Sequence, residues 1–334
     1  MVNVAVIGTG DWGPNLVRNF YQLSNLKIVC DIDDKNLLKI QNSYSNVKVT
    51  KDSNEIFNSK DLNAVCIAAS TEHHYKLAKR SLLSGKHTFV EKPLCLSSKH
   101  SKDLIETANK QNLVLMVGHL LLYHPVVRRL KSYIEDGEFG DIQYIYSTRV
   151  NLGQVRKTED ALWEFAPHDI SVILYLLDSK PDYVTAVGEA YLQPNICDVV
   201  FLTLRFPNKV MAHIHVSWLD PHKIRKMTVV GNRKMGVFDD MEPQEKLRIY
   251  DKGIDFKPSF TPYQESLALR VGDIYIPKVA SGEPLKIECQ HFIDCIREKK
   301  KPISDGENGL VVVKILESAG KSLKSGGKPV RSHL

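Results

Sequence analysis

The N-terminal segment constrains the fold more than any other part of the chain. A short apolar run, Val2–Ile7, leads into the turn Gly8-Thr9-Gly10-Asp11-Trp12-Gly13, and a helical pattern begins at Pro14. In this spacing the first glycine permits a tight turn, the second lets the backbone approach a pyrophosphate, and the third allows the helix to pack closely on the strand. The start of such a helix attracts phosphate through its N–H groups and its dipole. The pattern therefore predicts a strand, turn and helix that bind a dinucleotide.

A second apolar run, Leu26–Cys30, indicates which dinucleotide is bound. It ends at Asp31, about 18 residues past Gly13, where a dinucleotide fold places an acid that binds the adenosine ribose. Asp33 and Asp34 follow closely, and their charge would repel a ribose 2′-phosphate. We therefore expect NAD rather than NADP. The alternative is that these acids only occupy a turn after the strand.

The rest of the first half alternates apolar runs with helical segments, which predicts a parallel sheet covered by helices. The further strands are expected at 47–49, 64–68, 87–90 and 114–117, with helices around 53–58, 74–84 and 97–111. Ligands bind beyond the carboxyl ends of such strands, where Ser70-Thr71, Glu91-Lys92-Pro93 and Gly118-His119 fall. We expect these loops to line one site, with the glycine turn, Ser70, Thr71, His74 and Glu91 contacting the cofactor.

After Tyr123 the pattern changes, so we expect two domains. Residues 1–122 form the NAD-binding Rossmann domain, and residues 123–334 form an α+β domain with a large open, mainly antiparallel sheet. Helices are predicted from His124 to Glu135, from Pro167, and near residues 287–299 and 306–325. Strand-like runs at 142–150, 183–191, 199–206, 210–218, 226–231, 235–240 and 246–250 predict a meander. The last helix should pack back near the cleft between the domains, and the tail after Gly326 should be loose.

Composition excludes several classes of protein. The 334 residues carry a net charge of +6, but the basic residues are scattered, which argues against nucleic-acid binding. No apolar run is long enough to span a bilayer, and Val2–Ile7 leaves no room for a signal peptide, so a cytoplasmic protein without a membrane partner is expected. The six cysteines form no CxxC pair. We interpret them as buried thiols, and no metal site is expected.

Three features together resemble the Gfo/Idh/MocA oxidoreductases: the N-terminal glycine turn, Glu91-Lys92-Pro93-Leu94 after the fifth strand, and Val117-Gly118-His119 before the domain change. The resemblance covers nearly the whole chain. It implies an NAD-dependent dehydrogenase in which Lys92 lies between the nicotinamide ribose and the reacting hydroxyl, where an ammonium can polarise the alcohol. It also implies a cis peptide bond before Pro93, and a homodimer or homotetramer built on the outer face of the second sheet.

The same resemblance implies a histidine in the second domain, within a pattern like DxGxHxxD. Residues 164–171 read Glu-Phe-Ala-Pro-His-Asp-Ile-Ser, so His168 matches while Glu164, Ala166 and Ser171 depart from the pattern. His168, expected in the first turn of its helix, is the candidate general base because its ordinary pKa lies near neutrality. Glu164 is the candidate that orients His168, and Asp169 competes for that role.

The expected substrate also follows from similarity. The stretches 118–125, 149–153 and 166–170 are similar to the branch of the family that acts on nucleotide-linked amino sugars, in particular by oxidising UDP-N-acetylglucosamine at C3. The candidate substrate contacts in this reading are Lys92, His119, Tyr123, Arg149, Asn151, Arg156, Lys157, Trp163 and His168. Cations would hold the diphosphate and aromatic rings would stack, although surface charges and core aromatics are an equal alternative for each.

Two other functions are compatible with these motifs. The chain could oxidise a free sugar or cyclitol, or it could sense a dinucleotide and regulate a partner without catalysis. A sensor is expected to lose the lysine or the histidine, and both Lys92 and His168 are present. We therefore expect an enzyme.

Overall fold

The computed structural model describes residues 1–257 and 266–334. Its strands are β1 (Asn3–Ile7), β2 (Asn25–Cys30), β3 (Lys48–Thr50), β4 (Ala64–Ile67), β5 (His87–Glu91), β6 (Leu115–Gly118), β7 (Ile142–Leu152), β8 (Tyr183–Glu189), β9 (Val199–Arg205), β10 (Met211–Ser217), β11 (Leu219–Gly231), β12 (Met235–Asp239), β13 (Leu247–Lys257), β14 (Ser266–Tyr275) and β15 (Val330–Arg331). Its α-helices are α1 (Gly13–Leu23), α2 (Asp34–Ser43), α3 (Ser53–Asn58), α4 (Thr71–Leu83), α5 (Ser98–Lys110), α6 (Pro125–Glu135), α7 (Ala161–Leu177), α8 (Pro284–Glu298) and α9 (Gly306–Lys324). Short 3-10 turns lie at Leu120–Tyr123 and Pro207–Lys209.

The chain folds as two compact units that are interleaved in sequence. The first comprises residues 1–123 and 282–317, and the second comprises residues 124–281 and 318–334. We had assigned all of 123–334 to the second domain, whereas the structure groups 282–317 with the first unit. The physical reason is aromatic packing: Phe292 of α8 meets Phe20 of α1 and Phe89 of β5, with ring centroids 6.2 and 5.7 Å apart. Part of the C-terminal region thus completes the N-terminal core.

The first unit confirms the predicted doubly wound fold. Its sheet has the order β3-β2-β1-β4-β5-β6, and the strands run parallel. All four residues of β4 are buried because helices cover both faces of the sheet. Gly8 has φ +92°, and a Cβ there would lie 2.6 Å from the backbone of Ala68. A Cβ on Gly13 would collide with the carbonyl oxygen of Gly8, so the turn between β1 and α1 requires glycine at both positions.

The second unit contains a larger sheet with the order β14-β13-β12-β11-β7-β10-β9-β8-β15. Its pairs are antiparallel except for β7 and β10, which run parallel. The α+β class is therefore as predicted, but the simple meander is wrong. β7, the first strand of this unit, inserts between β10 and β11, so these two consecutive strands do not pair with each other. Helix α7 covers β7, β9 and β10 on one face.

Helix α7 begins earlier than the sequence pattern indicated. We expected it to start at Pro167, because proline is common in the first turn of a helix. Instead Asp160 caps the helix, and its carboxylate accepts a hydrogen bond from the Trp163 N–H at 2.9 Å. Pro167 lies inside the helix, and His168 follows it about two turns from the start rather than in the first turn.

The C-terminal tail is ordered, contrary to expectation. β15 pairs with β8, and the Ser332 N–H donates to the Asp182 carbonyl oxygen at 3.0 Å. Gly326 and Gly327, with φ +70° and +84°, turn the chain back toward the sheet after α9. In the described part of the chain, no helix combines the length and apolar character that crossing a membrane requires. Five cysteines are buried and Cys197 is half-buried, and all six are free thiols.

Candidate active site

Three loops of the first unit are tied together at the carboxyl edge of the parallel sheet. The Trp12 indole N–H, in the glycine turn, donates to Glu91 Oε1 at 2.9 Å. The two ring nitrogens of His74 lie 2.8 Å from the carbonyl oxygen of Pro93 and 2.9 Å from that of Ala69. His74 is only 1% exposed, and because a neutral imidazole carries one N–H, it donates to one of these two oxygens, in the loop after β4 or in the loop after β5. Its contact with the cofactor stays a prediction.

The residues present fit a dinucleotide. Trp12 precedes α1 without capping it through a side chain, and the first turn of α1 holds no acid, so the N–H groups there can meet a phosphate. A Cβ on Gly10 would meet nothing within 4 Å, which leaves open space beside the turn. Asp11 is exposed next to it, and Ser70 and Thr71 are accessible at the start of α4.

Asp31 is held as a carboxylate at the end of β2. It accepts hydrogen bonds from the Thr9 N–H at 2.5 Å, the Thr9 hydroxyl at 2.8 Å and the Asp33 N–H at 2.8 Å. Burial would raise the pKa of Asp31, but these donors outweigh it, and the pKa lies below its ordinary value. The negative charge is therefore secure at neutral pH, as recognition of ribose hydroxyls by Asp31 requires.

The Glu91-Lys92-Pro93 segment follows β5. The Lys92–Pro93 peptide bond is cis, as the family resemblance implied. Burial raises the pKa of Glu91 to about 7, although the Lys92 cation, the Lys92 N–H and the Trp12 indole all favour its charged form. Lys92 itself is half-buried. The segment thus places an ammonium beside a carboxyl group that can exist in both protonation states near neutral pH.

His119, just beyond β6, has one ring nitrogen, Nε2, that can accept a hydrogen bond. Its Nδ1 lies 2.6 Å from Asn308 Oδ1, so this nitrogen carries the proton. Its Nε2 is buried and has no hydrogen-bond partner among the described residues. Burial lowers the pKa of His119 to about 4, and the nearby Lys92 cation lowers it further against the opposing hydrogen bond to Asn308. His119 is therefore neutral, with a lone pair available for a donor.

In the second unit, the candidate residues near His168 meet arginines. The Arg149 guanidinium donates to Asp169 at 2.6 Å, and Arg156 lies 3.3 Å from Glu164. His168 is half-buried on α7. The Arg149 side chain is almost fully buried with its partner, so its charge is already neutralised rather than free for a diphosphate.

The remaining predicted substrate residues differ in how accessible they are. Tyr123 is completely buried, and its hydroxyl lies 2.8 Å from Ser304 Oγ, so it cannot offer a stacking surface. Its apolar ring belongs to the core of the first unit, which corrects our expectation. Trp163 in the first turn of α7 and Asn151 on β7 are half-buried, and Lys157 is exposed.

Sequence reasoning missed three residues of this site. Thr9 holds Asp31, Asn308 holds His119, and Glu288 is an acid with no exposed surface. Thr9 and Asn308 act through contacts 22 and 189 residues apart in the chain, which a local pattern cannot show. Glu288 did leave a signal, because it interrupts the apolar stripe that Leu285, Cys289 and Phe292 form along α8.

Two family descriptions match the chain. The one described as "Oxidoreductase family, NAD-binding Rossmann fold" matches residues 2–119, and the "GFO/IDH/MocA C-terminal domain" matches residues 127–235. The glycine turn, Asp31 and the Glu91-Lys92-Pro93 segment define a dinucleotide-dependent oxidoreductase of the Rossmann class, with NAD as its cofactor. Since the two matches together span well over half of the chain, the chain belongs to the Gfo/Idh/MocA oxidoreductase family.

Relatives of this chain differ in the substrates that their names give. UDP-N-acetylglucosamine 3-dehydrogenase of Acidithiobacillus ferrooxidans is 24% identical over 75% of this chain and 75% of its own length. Myo-inositol 2-dehydrogenase of Thermotoga maritima is 22% identical over 97% of this chain and 96% of its own. A levoglucosan dehydrogenase in complex with NADH and levoglucosan matches both chains over their full length, with a TM-score of 0.84 and 20% identity. At this identity the structural match shows the fold alone.

Proposed function

We propose that this chain oxidises the C3 hydroxyl of a nucleotide-linked amino sugar, UDP-N-acetylglucosamine, to the 3-keto sugar. The observation that supports oxidation of an alcohol is the group at the carboxyl edge of the first sheet. There the Lys92 ammonium and the Nε2 of neutral His119, which has no hydrogen-bond partner within residues 1–257 and 266–334, accompany the NAD-binding turn. The sugar class is supported by the similarity to the A. ferrooxidans 3-dehydrogenase. A cytoplasmic location is part of this proposal.

The residues divide the work of oxidation. Bound NAD⁺ supplies the acceptor for the hydride that leaves C3 of the sugar. Lys92 stabilises the alkoxide charge that develops on the C3 oxygen, and His168 takes the hydroxyl proton. The hydride carries two electrons and one proton away from C3. The proton of the hydroxyl group stays on His168 until solvent removes it. His119 is the candidate contact for a sugar hydroxyl, and such a contact requires its buried Nε2 to become accessible.

A free sugar or cyclitol is the second candidate, and one observation favours it. Arg149 and Arg156, the cations expected to hold a diphosphate, already face Asp169 and Glu164. A neutral polyol does not need a free cation. The similarity to the T. maritima myo-inositol 2-dehydrogenase over nearly the whole chain supports the same candidate.

The test is NADH formation, followed by its absorbance, with purified protein, NAD⁺ and a trap for keto sugars. The substrates are UDP-N-acetylglucosamine, UDP-glucose, free glucose and myo-inositol. We expect turnover only with the acetylamino nucleotide sugar, and a loss of activity in both Lys92→Ala and His168→Ala. Turnover of a free polyol in place of the nucleotide sugar would reject the first candidate and support the second. Turnover that survives both substitutions would reject the assigned roles of Lys92 and His168.

We also propose that two copies associate through the outer face of the second sheet. In register across its centre, Tyr146 of β7 lies beside His213 of β10, and Phe201 of β9 lies beside His215, whose ring stacks on it at 4.4 Å between centroids. Tyr146 and Phe201 are 45% and 40% exposed. Exposed aromatic side chains clustered on one face of a sheet are typical of an interface.

Sedimentation of the wild type and of Tyr146→Glu tests this association. The wild type is expected to sediment as a dimer or tetramer, and the charged variant as a smaller species. Leu38→Glu is the matched control, because Leu38 is a similarly exposed apolar residue on α2 of the first unit. A monomeric wild type, or equal dissociation in both variants, would contradict the proposed interface.

A further inference from the structure

Glu288 of α8 is a buried acid that neither the NAD-binding turn nor the proposed proton transfer uses. It has no exposed surface, and neither carboxyl oxygen accepts a hydrogen bond from any donor among the described residues. Its neighbours along the helix, Leu285, Cys289 and Phe292, are apolar and buried. An ionised carboxylate in such surroundings is strongly unfavourable, so Glu288 must be neutral or face a group that shares a proton with it.

The packing of α8 on β5 shows which group Glu288 faces. Phe292 packs on Phe89 with ring centroids 5.7 Å apart. Glu91 is two residues after Phe89, so it points to the same face of the strand, and Glu288 is four residues before Phe292, on the same face of the helix. At the opposite end of the strand, His87 and Ile296 line one pocket. The helix therefore runs antiparallel to the strand, and this register sets Glu288 opposite Glu91.

The surroundings of Glu91 fix the position of its carboxyl group. Trp12 and the Lys92 N–H, at 2.9 and 3.2 Å, donate to its two oxygens. Gly118 lies against the carboxyl group so closely that a Cβ there would be 2.8 Å from Glu91 Oε2. Burial, and then the charge of Glu91, raise the pKa of Glu288 well above its ordinary value. A protonated carboxyl group opposite an ionised one can donate a hydrogen bond to it.

We propose that Glu288 remains protonated and donates a hydrogen bond to Glu91, and that it is thereby a positioning residue for the Glu91-Lys92 segment. The proton is retained within the pair and is not consumed during turnover. The protonation of Glu288 stands on the packing alone. Its effect on catalysis rests on the function proposed for Lys92.

The first test needs no substrate. Infrared spectra of the whole protein at mildly alkaline pH, where exposed carboxyl groups are ionised, show the C=O stretch of any carboxylic acid that stays protonated. We expect this band in the wild type and its loss in Glu288→Gln. Glu283→Gln is the matched control, because Glu283 begins the same helix but is exposed and paired with Arg18. Identical spectra of the wild type and Glu288→Gln would overturn the proposal.

The second test measures positioning through kcat/KM and its pH dependence. Glu288→Gln keeps a neutral donor of the same shape, whereas Glu288→Leu removes it. We expect Glu288→Leu to fall at least about tenfold below Glu288→Gln, since a hydrogen bond to a charged group is lost. The limb of the pH profile that reports Glu91 should move to higher pH only in the leucine variant. Equal rates and equal profiles in the two variants would overturn the positioning role. Because the infrared test uses no substrate, its result does not depend on whether the proposed reaction is correct.

Discussion

The two units hold their candidate residues in different ways. In the first unit, hydrogen bonds with at least one uncharged partner tie the loops together: the Trp12 indole reaches Glu91, His74 lies between two carbonyl oxygens, and His119 pairs with Asn308. In the second unit, the residues around His168 form ion pairs with arginines. Such hydrogen bonds depend little on salt, whereas an ion pair responds to ionic strength to the extent that it is exposed, so Arg156–Glu164 should respond more than the buried Arg149–Asp169 pair. The difference shows that the first unit positions its loops through hydrogen bonds and the second unit positions its candidate residues through ion pairs.

The largest expected effect separates the two units by function. His168→Ala should lower kcat by about 100- to 10,000-fold, the usual contribution of a general base, while the stabilisation of the protein by NADH against heat is unchanged. Gly10→Val should do the reverse: its side chain enters open space, so the protein folds, but it blocks the pyrophosphate and abolishes the NADH effect. Loss of the NADH effect in His168→Ala would break the comparison.

The next effect compares the two ion pairs of the second unit. Asp169→Ala leaves the Arg149 charge buried and unpaired, and should reduce the free energy of unfolding by about 3 to 5 kcal/mol. Glu164→Ala removes the partner of Arg156, but the Arg156 side chain is 37% exposed and can be solvated by water. This substitution should therefore reduce the free energy of unfolding by less than about 1 kcal/mol. Denaturant titration of both variants measures the difference. Equal losses would show that burial does not distinguish these pairs.

A substitution of Asp31 should weaken the preference of the protein for NAD over NADP. Asp31→Asn removes the charge that opposes a 2′-phosphate, and should lower the preference for NAD over NADP, measured as a ratio of kcat/KM, by about 10- to 100-fold. Asp52→Asn is the control, because Asp52 caps α3 through the Asn54 N–H and asparagine caps equally well. The idea fails if both variants shift the preference equally.

The smallest expected effect is a dependence of stability on pH. The pKa of His119 is about 4 in the folded chain and about 6.5 when unfolded. Below the unfolded value only the unfolded chain takes up the proton, so stability is lost as the pH falls through this window. Between about pH 7 and pH 5 the loss should approach 2 kcal/mol, and His119→Gln should abolish it. The raised pKa of Glu91 makes stability increase as the pH falls, which is the opposite effect. The contribution of His119 is therefore the difference between the pH dependence of stability in the variant and in the wild type. An unchanged slope in His119→Gln would remove His119 as its source.

Local patterns predicted the first unit well because its signals are local. The run from Val2 to Gly13 specifies a strand, a turn and a helix within one stretch of chain, and Asp31 follows at a fixed spacing. The alternation of short apolar runs with helices then leaves few topologies besides a parallel sheet. Membership in the family and the cofactor were predicted from these motifs and are confirmed.

The errors arose where long-range packing decided the outcome. Pro167 looked like a helix start, yet Asp160 caps the helix earlier and the proline lies inside it. Tyr123 looked like a ligand surface, yet Ser304, 181 residues away in the chain, holds its hydroxyl inside the core. The arginines looked free because their partners could not be recognised from spacing. No local pattern reports which charge is already paired.

The interleaving of the two units has a consequence for synthesis on the ribosome. The first sheet is complete in sequence by residue 118, but the helix that covers Phe20 and Phe89 begins only at Pro284. At roughly 5 to 20 residues per second, the apolar side of that sheet waits on the order of ten seconds or more for its cover. A nascent chain of this protein therefore exposes one apolar face of the sheet during about half of its translation, and chaperones that bind emerging chains have the most to protect in this interval.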